Sequence, residues 1–167
     1  SNKTFGGQYT GVLYGFTQTA TNTFKNANYL KNNLQATNDG TIEIKTSDGK
    51  TTTTGNYGTG TTVTLKDADG NEVATYVVVI FGDVDGNGLI NANDTRALQG
   101  YVNNSSTAPA NNSVTRMAAN CQNVTAAVMM HNLNANDTRA LAAHVNGTKL
   151  DQAALASKME TVTGYYN

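Results

Sequence analysis

The side chains best suited to binding a ligand lie between Asp83 and Asp94, in the sequence Asp-Val-Asp-Gly-Asn-Gly-Leu-Ile-Asn-Ala-Asn-Asp. Asp83, Asp85 and Asn87 occupy alternate positions, and Asp94 is the twelfth residue counted from Asp83. Calcium is a hard cation that takes about six to eight oxygen ligands, and an EF-hand loop supplies side-chain oxygens from its positions 1, 3, 5 and 12. This spacing therefore predicts a calcium-binding loop.

Two further positions agree with such a loop. Gly88 is at position 6, where the chain turns sharply, and Ile90 at position 8 is apolar, as expected of a residue that anchors the loop to a core. The competing interpretation is an Asp/Asn/Gly-rich surface turn that binds nothing. The predicted ligands of a single Ca²⁺ ion, with a backbone carbonyl at position 7, are Asp83, Asp85, Asn87, Leu89 and Asp94.

The surroundings of the loop differ from those of an ordinary EF-hand. Position 12 is Asp94 rather than Glu, and the loop is preceded by Ala-Thr-Tyr-Val-Val-Val-Ile-Phe, whose β-branched and aromatic residues indicate a buried strand instead of an entering helix. After the loop, Ala97, Leu98, Tyr101 and Val102 form one face of a predicted helix. A calcium loop that is followed, but not preceded, by a helix resembles the dockerin module.

An internal repeat strengthens this resemblance. The sequence Asn-Ala-Asn-Asp-Thr-Arg-Ala-Leu occurs at Asn91–Leu98 and again at Asn134–Leu141. Two loop–helix repeats define dockerins, so the resemblance, to a type I-like dockerin of the ruminococcal kind, covers about residues 82–147.

The second repeat lacks the acidic residues of the first. Counted back from Asp137, positions 1, 3 and 5 are Ala126, Val128 and Met130, which offer no hard oxygen ligand. An alternative alignment with about six inserted residues places Asn120 and Gln122 at positions 1 and 3. Both alignments predict a metal-free second loop and hence one ion per chain. The direct count also predicts that the loop is held by burial of Val128, Met129, Met130 and Leu133.

The first half of the chain has the pattern of β-hairpins. Alternating apolar residues in Thr41–Thr46 and Thr62–Asp67 are separated by Asp-Gly pairs that are typical of turns. The acidic cluster at Asp67–Asn71 is interpreted as a turn rather than a second calcium site, because its glycine falls two residues early. Other predicted elements are a strand at Gly11–Phe16, a helix at Thr23–Leu34, a helix at Ser113–Cys121 and a helix at Leu150–Met159.

These elements predict an α+β chain: a small β-rich domain (β-sandwich, Ig-like or β-grasp-like) followed by an all-α dockerin. The predicted ranges are 1–81 for the β-rich domain, which resembles an X-module, 82–150 for the dockerin, and 151–167 for a final helix and tail. The two loop–helix repeats fall at 82–102 and about 126–146. With no Pro/Ser-rich spacer at Phe81-Gly82, we expect rigid coupling between the two units.

Composition excludes several classes of function. The net charge is −1, there is no Lys/Arg run and there is no long apolar segment, so neither nucleic acid nor a membrane is an expected partner. The single cysteine, Cys121, excludes an internal disulfide. Ser1–Lys3 is not a signal peptide, and a longer parent chain is expected to supply one. No arrangement of residues indicates an active site, so an enzyme is not expected.

The resemblance implies a partner and a location. Dockerins bind a cohesin domain on a scaffoldin, within secreted, cell-surface complexes of the cellulosome or amylosome type, and polysaccharide is reached only through other domains of the parent protein. Positions that face the cohesin in the family correspond here to Ala92, Asn93, Thr95, Arg96, Gln99, Ala135, Asn136, Thr138 and Arg139. Their duplication suggests two equivalent binding orientations.

Three alternatives remain open. In a carbohydrate-binding module, sugars would stack on the aromatic residues Tyr9, Tyr14, Phe16, Tyr29 and Tyr57 while the calcium loop is only structural. A free calcium sensor would need an opening helix pair, which the sequence lacks. A soft-metal site formed by Cys121, His131 and His144 has no ligand spacing, and packing roles are favoured.

Overall fold

The computed structural model describes residues 8–13, 30, 34–51, 56–110, 113–122 and 132–159. Within these ranges, four strands lie in the first half: β1 (Gly11–Leu13), β2 (Thr41–Lys45), β3 (Thr62–Lys66) and β4 (Glu72–Val78). After them, the described residues form four α-helices: α1 (Ala92–Asn103), α2 (Val114–Ala118), α3 (Ala135–Val145) and α4 (Gln152–Met159). A short 3₁₀ helix, Ser105–Thr107, follows α1.

The strands form one sheet in the order β1-β4-β3-β2. The predicted hairpins are confirmed, because β2 pairs antiparallel with β3 and β3 antiparallel with β4. Their alternation has the expected consequence: Ile44 lies opposite Val63 and both side chains are buried. The parallel pairing of β1 with β4, which local patterning does not predict, places β4 inside the sheet.

The acidic cluster after β3 is a turn, as predicted. Asp67 Oδ1 accepts hydrogen bonds from the backbone N–H groups of Asp69 and Asn71, at 3.0 and 2.9 Å. Gly70 has a φ of 84°, the left-handed conformation that glycine adopts without a Cβ clash. The carboxylate of Asp67 is thus used by the backbone of the hairpin.

Helices α1 and α3 both begin within the repeated sequence. Asn91 and Asn134 are the N-caps of α1 and α3, and each accepts a backbone hydrogen bond while Asp94 or Asp137 bonds back to the cap. This reciprocal arrangement is a capping box. The predicted helices at Ser113–Cys121 and Leu150–Met159 are present as the shorter α2 and α4. The predicted helix Thr23–Leu34 and the strand residues after Leu13 lie largely outside the described residues.

The predicted fold class, a β-rich domain followed by an all-α dockerin, is wrong. The described chain is a small mixed α/β fold in which one apolar cluster joins Ile44 and Val63 of the sheet to Leu98 and Leu141 of helices α1 and α3. The physical reason lies in the junction. Residues 77–81 are all fully buried and lead directly into the acidic loop, so strands and helices cover each other's apolar faces. The boundary at residues 81/82 itself stays a prediction.

The last helix is tied to the end of this buried run. The side-chain amide of Gln152 accepts from Phe81 N at 2.9 Å and donates to Phe81 O at 2.7 Å, so one buried side chain satisfies both backbone groups of Phe81. Immediately afterwards, Gly82 N donates to Ala118 O at 2.8 Å. Helices α2 and α4 therefore fix the chain where it enters the acidic loop.

Candidate metal centre

Three carboxylates meet in the loop between β4 and α1. Ligand atoms of Asp83, Asp85 and Asp94, which we call the acidic triad, all lie within 4.8 Å of one another. Asp83 and Asp94 are fully buried, whereas Asp85 is exposed. Three like charges at this distance repel each other strongly in a buried setting, and a divalent cation would neutralise them. The triad is therefore a site that could hold a metal ion.

Asp94 closes the loop. Its Oδ1 accepts from the backbone N–H groups of Val84 and Asp85, at 2.8 and 3.1 Å, and its Oδ2 accepts from Asn91 N at 2.9 Å. The same side chain belongs to the capping box of α1. The first turn of the helix thus sets the position of the twelfth loop residue relative to the first three.

One carboxylate oxygen of Asp83 accepts hydrogen bonds, and the other has no hydrogen-bond donor among the described residues. Its Oδ2 accepts from Thr59 N at 2.8 Å and from Gly88 N at 3.1 Å. Its Oδ1 is buried and has no hydrogen-bond partner among the described residues. A buried carboxylate oxygen without a partner is energetically costly. A bound cation would satisfy it, which distinguishes this loop from a surface turn.

The exposed loop side chains stabilise the turn itself. Asp85 Oδ1 accepts from Asn87 N at 3.1 Å, and Asn87 Oδ1 accepts from Leu89 N at 2.9 Å. The structure therefore brings three of the five predicted ligands together as the acidic triad. Asn87 and Leu89 lie in the same loop, outside the triad.

A segment before β3, residues 56–61, covers the loop and was missed by sequence analysis. A Cβ added to Gly58 would lie 2.5 Å from Gly86 O and from Gly88 N, and 2.6 Å from Asp83 Oδ2. Thr59 donates its N–H to Asp83 and exchanges side-chain hydrogen bonds with the backbone of Ile80, both at 3.1 Å. The only local signal was the alternation of glycine and threonine after Tyr57.

Burial and mutual repulsion change the acidity of the triad. Desolvation raises the pKa of Asp83 from 3.8 to about 7, with repulsion from Asp94 and Asp85 adding to it and the N–H groups of Thr59 and Gly88 opposing it. The pKa of Asp94 is raised to about 6, mainly by desolvation. Without a cation, the folded protein therefore holds protons that the unfolded chain releases.

This difference predicts how the cation-free protein responds to pH. Because the folded pKa of Asp83 exceeds the unfolded one, its contribution to stability is complete below about pH 4 and is lost as pH rises through about 7. At about 1.4 kcal/mol per pKa unit, the loss is roughly 4 kcal/mol. In chelator, the melting temperature of Asp83→Asn should exceed that of the parent protein by an amount that grows from pH 4 to pH 7.5.

The comparison of these two proteins cancels titrating groups that lie away from the acidic triad. The pKa of His144, for example, is lowered to about 4 by burial and by nearby Lys149, and this effect is common to both. Parallel melting curves for the parent and Asp83→Asn across this pH range would contradict the prediction.

The second repeat reproduces the geometry around Asp94. Asp137 Oδ1 accepts from Cys121 N at 3.0 Å and from Gln122 N at 3.3 Å, and its Oδ2 accepts from Asn134 N at 3.0 Å. Cys121 and Gln122 thus occupy the places of Val84 and Asp85. This geometry supports the alignment with inserted residues, which puts Asn120 and Gln122 at positions 1 and 3, over the direct count.

The residues that the direct count back from Asp137 places in the second loop cannot be compared with the hydrogen bonds around Asp137. Ala126, Val128, Met129 and Met130 lie outside the described residues, and so does His131. Leu133 is half-buried and packs against the shared core, as expected. The hydrogen bonds to Asp137 therefore give the second loop a source of stability that its sequence pattern does not predict.

The residues predicted to face a partner lie on two helices that contact each other, α1 and α3. The positions are mostly exposed and match between the repeats: Ala92, Asn93, Arg96 and Gln99 are exposed on α1, and Ala135, Asn136 and Arg139 on α3. Thr95 and Thr138 are only partly exposed, and both hydroxyl oxygens are buried. Arg139 also donates a hydrogen bond to Asn136.

Three residues named in the carbohydrate-binding and soft-metal interpretations are buried. Tyr57 is a buried core residue, which removes it as a platform for sugar stacking. His144 is buried and its Nδ1 accepts from Leu150 N at 2.8 Å, which supports a packing role. Cys121 is a buried free thiol. Tyr14, Phe16 and Tyr29 lie outside the described residues.

Within the described ranges, the acidic triad is the cluster of His, Cys, Asp and Glu side chains with metal-site geometry. In the same ranges, no helix is long and apolar enough to cross a membrane. Comparisons of the chain with protein-family models, with curated proteins and with solved structures give no match.

Proposed function

We propose that this chain is a non-catalytic, calcium-dependent assembly module that acts as dockerins do. It would anchor its parent protein to a cohesin domain of a scaffoldin in a secreted, cell-surface complex that degrades polysaccharide. The observation that carries the proposal is the duplicated surface: α1 and α3 contact each other, begin with the same capping box and expose the same Asn and Arg side chains of a repeated Asn-Asp-Thr-Arg sequence. A repeated, exposed and pre-ordered face of this kind is suited to binding a protein partner.

Calcium is the ion that fits the acidic triad best. Its ligands are carboxylate oxygens, which are hard donors, and the loop register matches a calcium loop from position 1 to position 12. The Oδ1 of Asp83, which has no hydrogen-bond partner among the described residues, is an oxygen ligand available to the ion. Because only the first repeat has such a cluster among the described residues, one ion per chain is proposed.

The ion is expected to order the partner-binding surface. Asp94 is both a member of the triad and the N3 residue of α1, so an ion bound to its carboxylate would relieve the repulsion within the triad and fix the loop to the start of the helix that carries Asn93 and Arg96. Polysaccharide would be contacted only by other domains of the parent protein. This link between the loop and the helix is the reason to expect calcium-dependent binding.

The proposal is tested by measuring binding to a panel of candidate cohesins with and without chelator. We expect at least one cohesin to bind in calcium and to dissociate in chelator, with binding restored when calcium is added back. Asp83→Asn is a matched control that should bind weakly in both conditions. Retention of the protein on starch or cellulose, without binding to any cohesin, would contradict the proposal.

The number of ions gives a separate prediction. Calorimetric titration of the chelator-treated protein with calcium should find one site per chain. Binding to the native state alone should stabilise it by about 2.7 kcal/mol at a hundredfold excess over the dissociation constant. Two sites of similar affinity would show that the second repeat also binds an ion.

A further inference from the structure

The two repeats place the same aspartate in nearly the same set of backbone donors. Asp94 and Asp137 each accept two N–H groups on Oδ1, from consecutive residues, and one on Oδ2, from the asparagine N-cap. The N-caps themselves have almost identical backbone angles: φ is −147° at Asn91 and −148° at Asn134. The repeats can therefore be compared atom by atom at this point.

The comparison reveals one additional donor in the second repeat. Gln122 Nε2 donates to Asp137 Oδ2 at 3.1 Å and to Asn134 Oδ1 at 3.0 Å. The equivalent position in the first repeat holds Asp85, whose carboxylate has no N–H to donate and adds a negative charge. Asp137 thus receives at least four N–H groups, one of them from a side-chain amide, whereas Asp94 receives three from the described residues, all from the backbone.

The two repeats also differ in the charge of their loops, and the first loop is the more negative. The first repeat brings together three carboxylates, one of which, Asp83, has a buried oxygen without a donor. In the second repeat the equivalents of Asp83 and Asp85 are the neutral Asn120 and Gln122. The Nδ2 of Asn120 donates to Arg116 O at 2.8 Å, a bond that an aspartate cannot make.

We propose that the side-chain amide of Gln122 takes the place of the metal ion in the second repeat. At this third loop position Asp85 adds a negative charge to the buried Asp83 and Asp94 and so increases the need for a cation, whereas Gln122 adds no charge and donates its N–H groups to Asp137 and Asn134. The inference rests on the proposed cation site of the first repeat. It explains how two nearly identical helix starts are stable with different loop chemistry.

The decisive experiment transfers the amide to the first repeat. Asp85→Gln, in the full chain, should bind calcium roughly a hundredfold more weakly than the parent protein, because one carboxylate ligand is lost. In chelator it should melt above Asp85→Ala by roughly 3–6 °C, because its Nε2 can donate to Asp94 Oδ2 and to Asn91 Oδ1. Asp85→Ala is the matched control, since it removes the charge without supplying a donor.

The reciprocal experiment removes the amide from the second repeat. Gln122→Ala should melt below the parent protein by a similar amount in calcium and in chelator. The inference is overturned if Asp85→Gln melts no higher than Asp85→Ala in chelator, or if Gln122→Ala melts as the parent protein does. Should Gln122→Ala fail to fold, the two Asp85 variants still decide the question.

These results separate the inference from the proposed function. If the parent protein binds no calcium, the assignment of the acidic triad fails. If the parent binds one calcium ion but the two Asp85 variants behave alike in chelator, only the inference about Gln122 fails. Binding to a cohesin is not needed for either measurement.

Discussion

Replacing the exposed Asn and Arg residues of both α1 and α3 by acidic residues should abolish cohesin binding. The same replacements on one helix alone should be tolerated. The first variant is Asn93→Asp with Arg96→Glu on α1, the second is Asn136→Asp with Arg139→Glu on α3, and the third combines them. All four positions are exposed, so these substitutions should change the stability of the fold little, apart from loss of the hydrogen bond between Arg139 and Asn136. The duplicated faces carry the same side chains, and if a pseudo-twofold axis relates the two repeats, a half-turn of the module would offer the partner an equivalent surface.

The expected magnitudes follow from interface electrostatics. Placing like charges opposite each other costs several kcal/mol, so the combined variant should bind at least about a hundredfold more weakly. Each double substitution alone should change the affinity by no more than about tenfold, which corresponds to a preference of 1.4 kcal/mol for one orientation. Gln99-Gly100 on α1 differs from Ala142-Ala143 on α3, which is a source of such a preference.

Calorimetric titration of each calcium-loaded variant with cohesin gives the affinities. Circular dichroism of each variant confirms that it folds. Complete loss of binding from the α1 variant, with no effect of the α3 variant, would mean a single orientation and a repeat that is only architectural.

Gly58→Ala should sharply weaken calcium binding and lower stability. The added methyl group would lie 2.5 Å from two backbone atoms of the loop and 2.6 Å from the carboxylate of Asp83. Since backbone atoms cannot move aside as a flexible side chain can, the 56–61 segment must separate from the loop. Such overpacking costs about 1–3 kcal/mol. The separation would also remove the hydrogen bond from Thr59 N to Asp83, so the cation loses an oriented ligand.

Gly100→Ala is the matched control for this substitution. Gly100 lies in α1, and a Cβ added there meets nothing within 4 Å. Alanine should therefore stabilise the helix by about 1 kcal/mol and leave calcium affinity unchanged. Thermal melting and calcium titration of both variants are the measurements. Equal calcium affinity in Gly58→Ala and the parent protein would show that the segment does not shape the site.

Local sequence patterns were sufficient to predict the hairpins, the turn at Asp67 and a helix in each repeat. In each case the signal and its effect lie within a few residues of each other. Alternation in Thr41–Thr46 sets which side chains face the core, and the asparagine three residues before Asp94 or Asp137 forms a capping box with it. Three of the predicted ligands also converge, because their spacing belongs to one continuous loop.

Other features depend on contacts between distant residues, which no local pattern encodes. The donor that holds Asp83 is Thr59, 24 residues earlier, and the amide that satisfies Phe81 is Gln152, 71 residues later. The fold class was mispredicted for the same reason: a separate β-rich domain and helical module were inferred from order along the chain, whereas their apolar faces form one cluster.

The sequence by itself therefore determined the acidic loop, the duplicated helix starts and the strand pairing by hairpins. Only the tertiary structure decided that the sheet and helices share a core, that the 56–61 segment covers the loop, and that Asn120–Gln122 are the counterparts of Asp83–Asp85. The physical reason is that side-chain identity and spacing fix short-range hydrogen bonds directly. Which distant backbone groups and apolar faces meet depends on the burial of the whole chain.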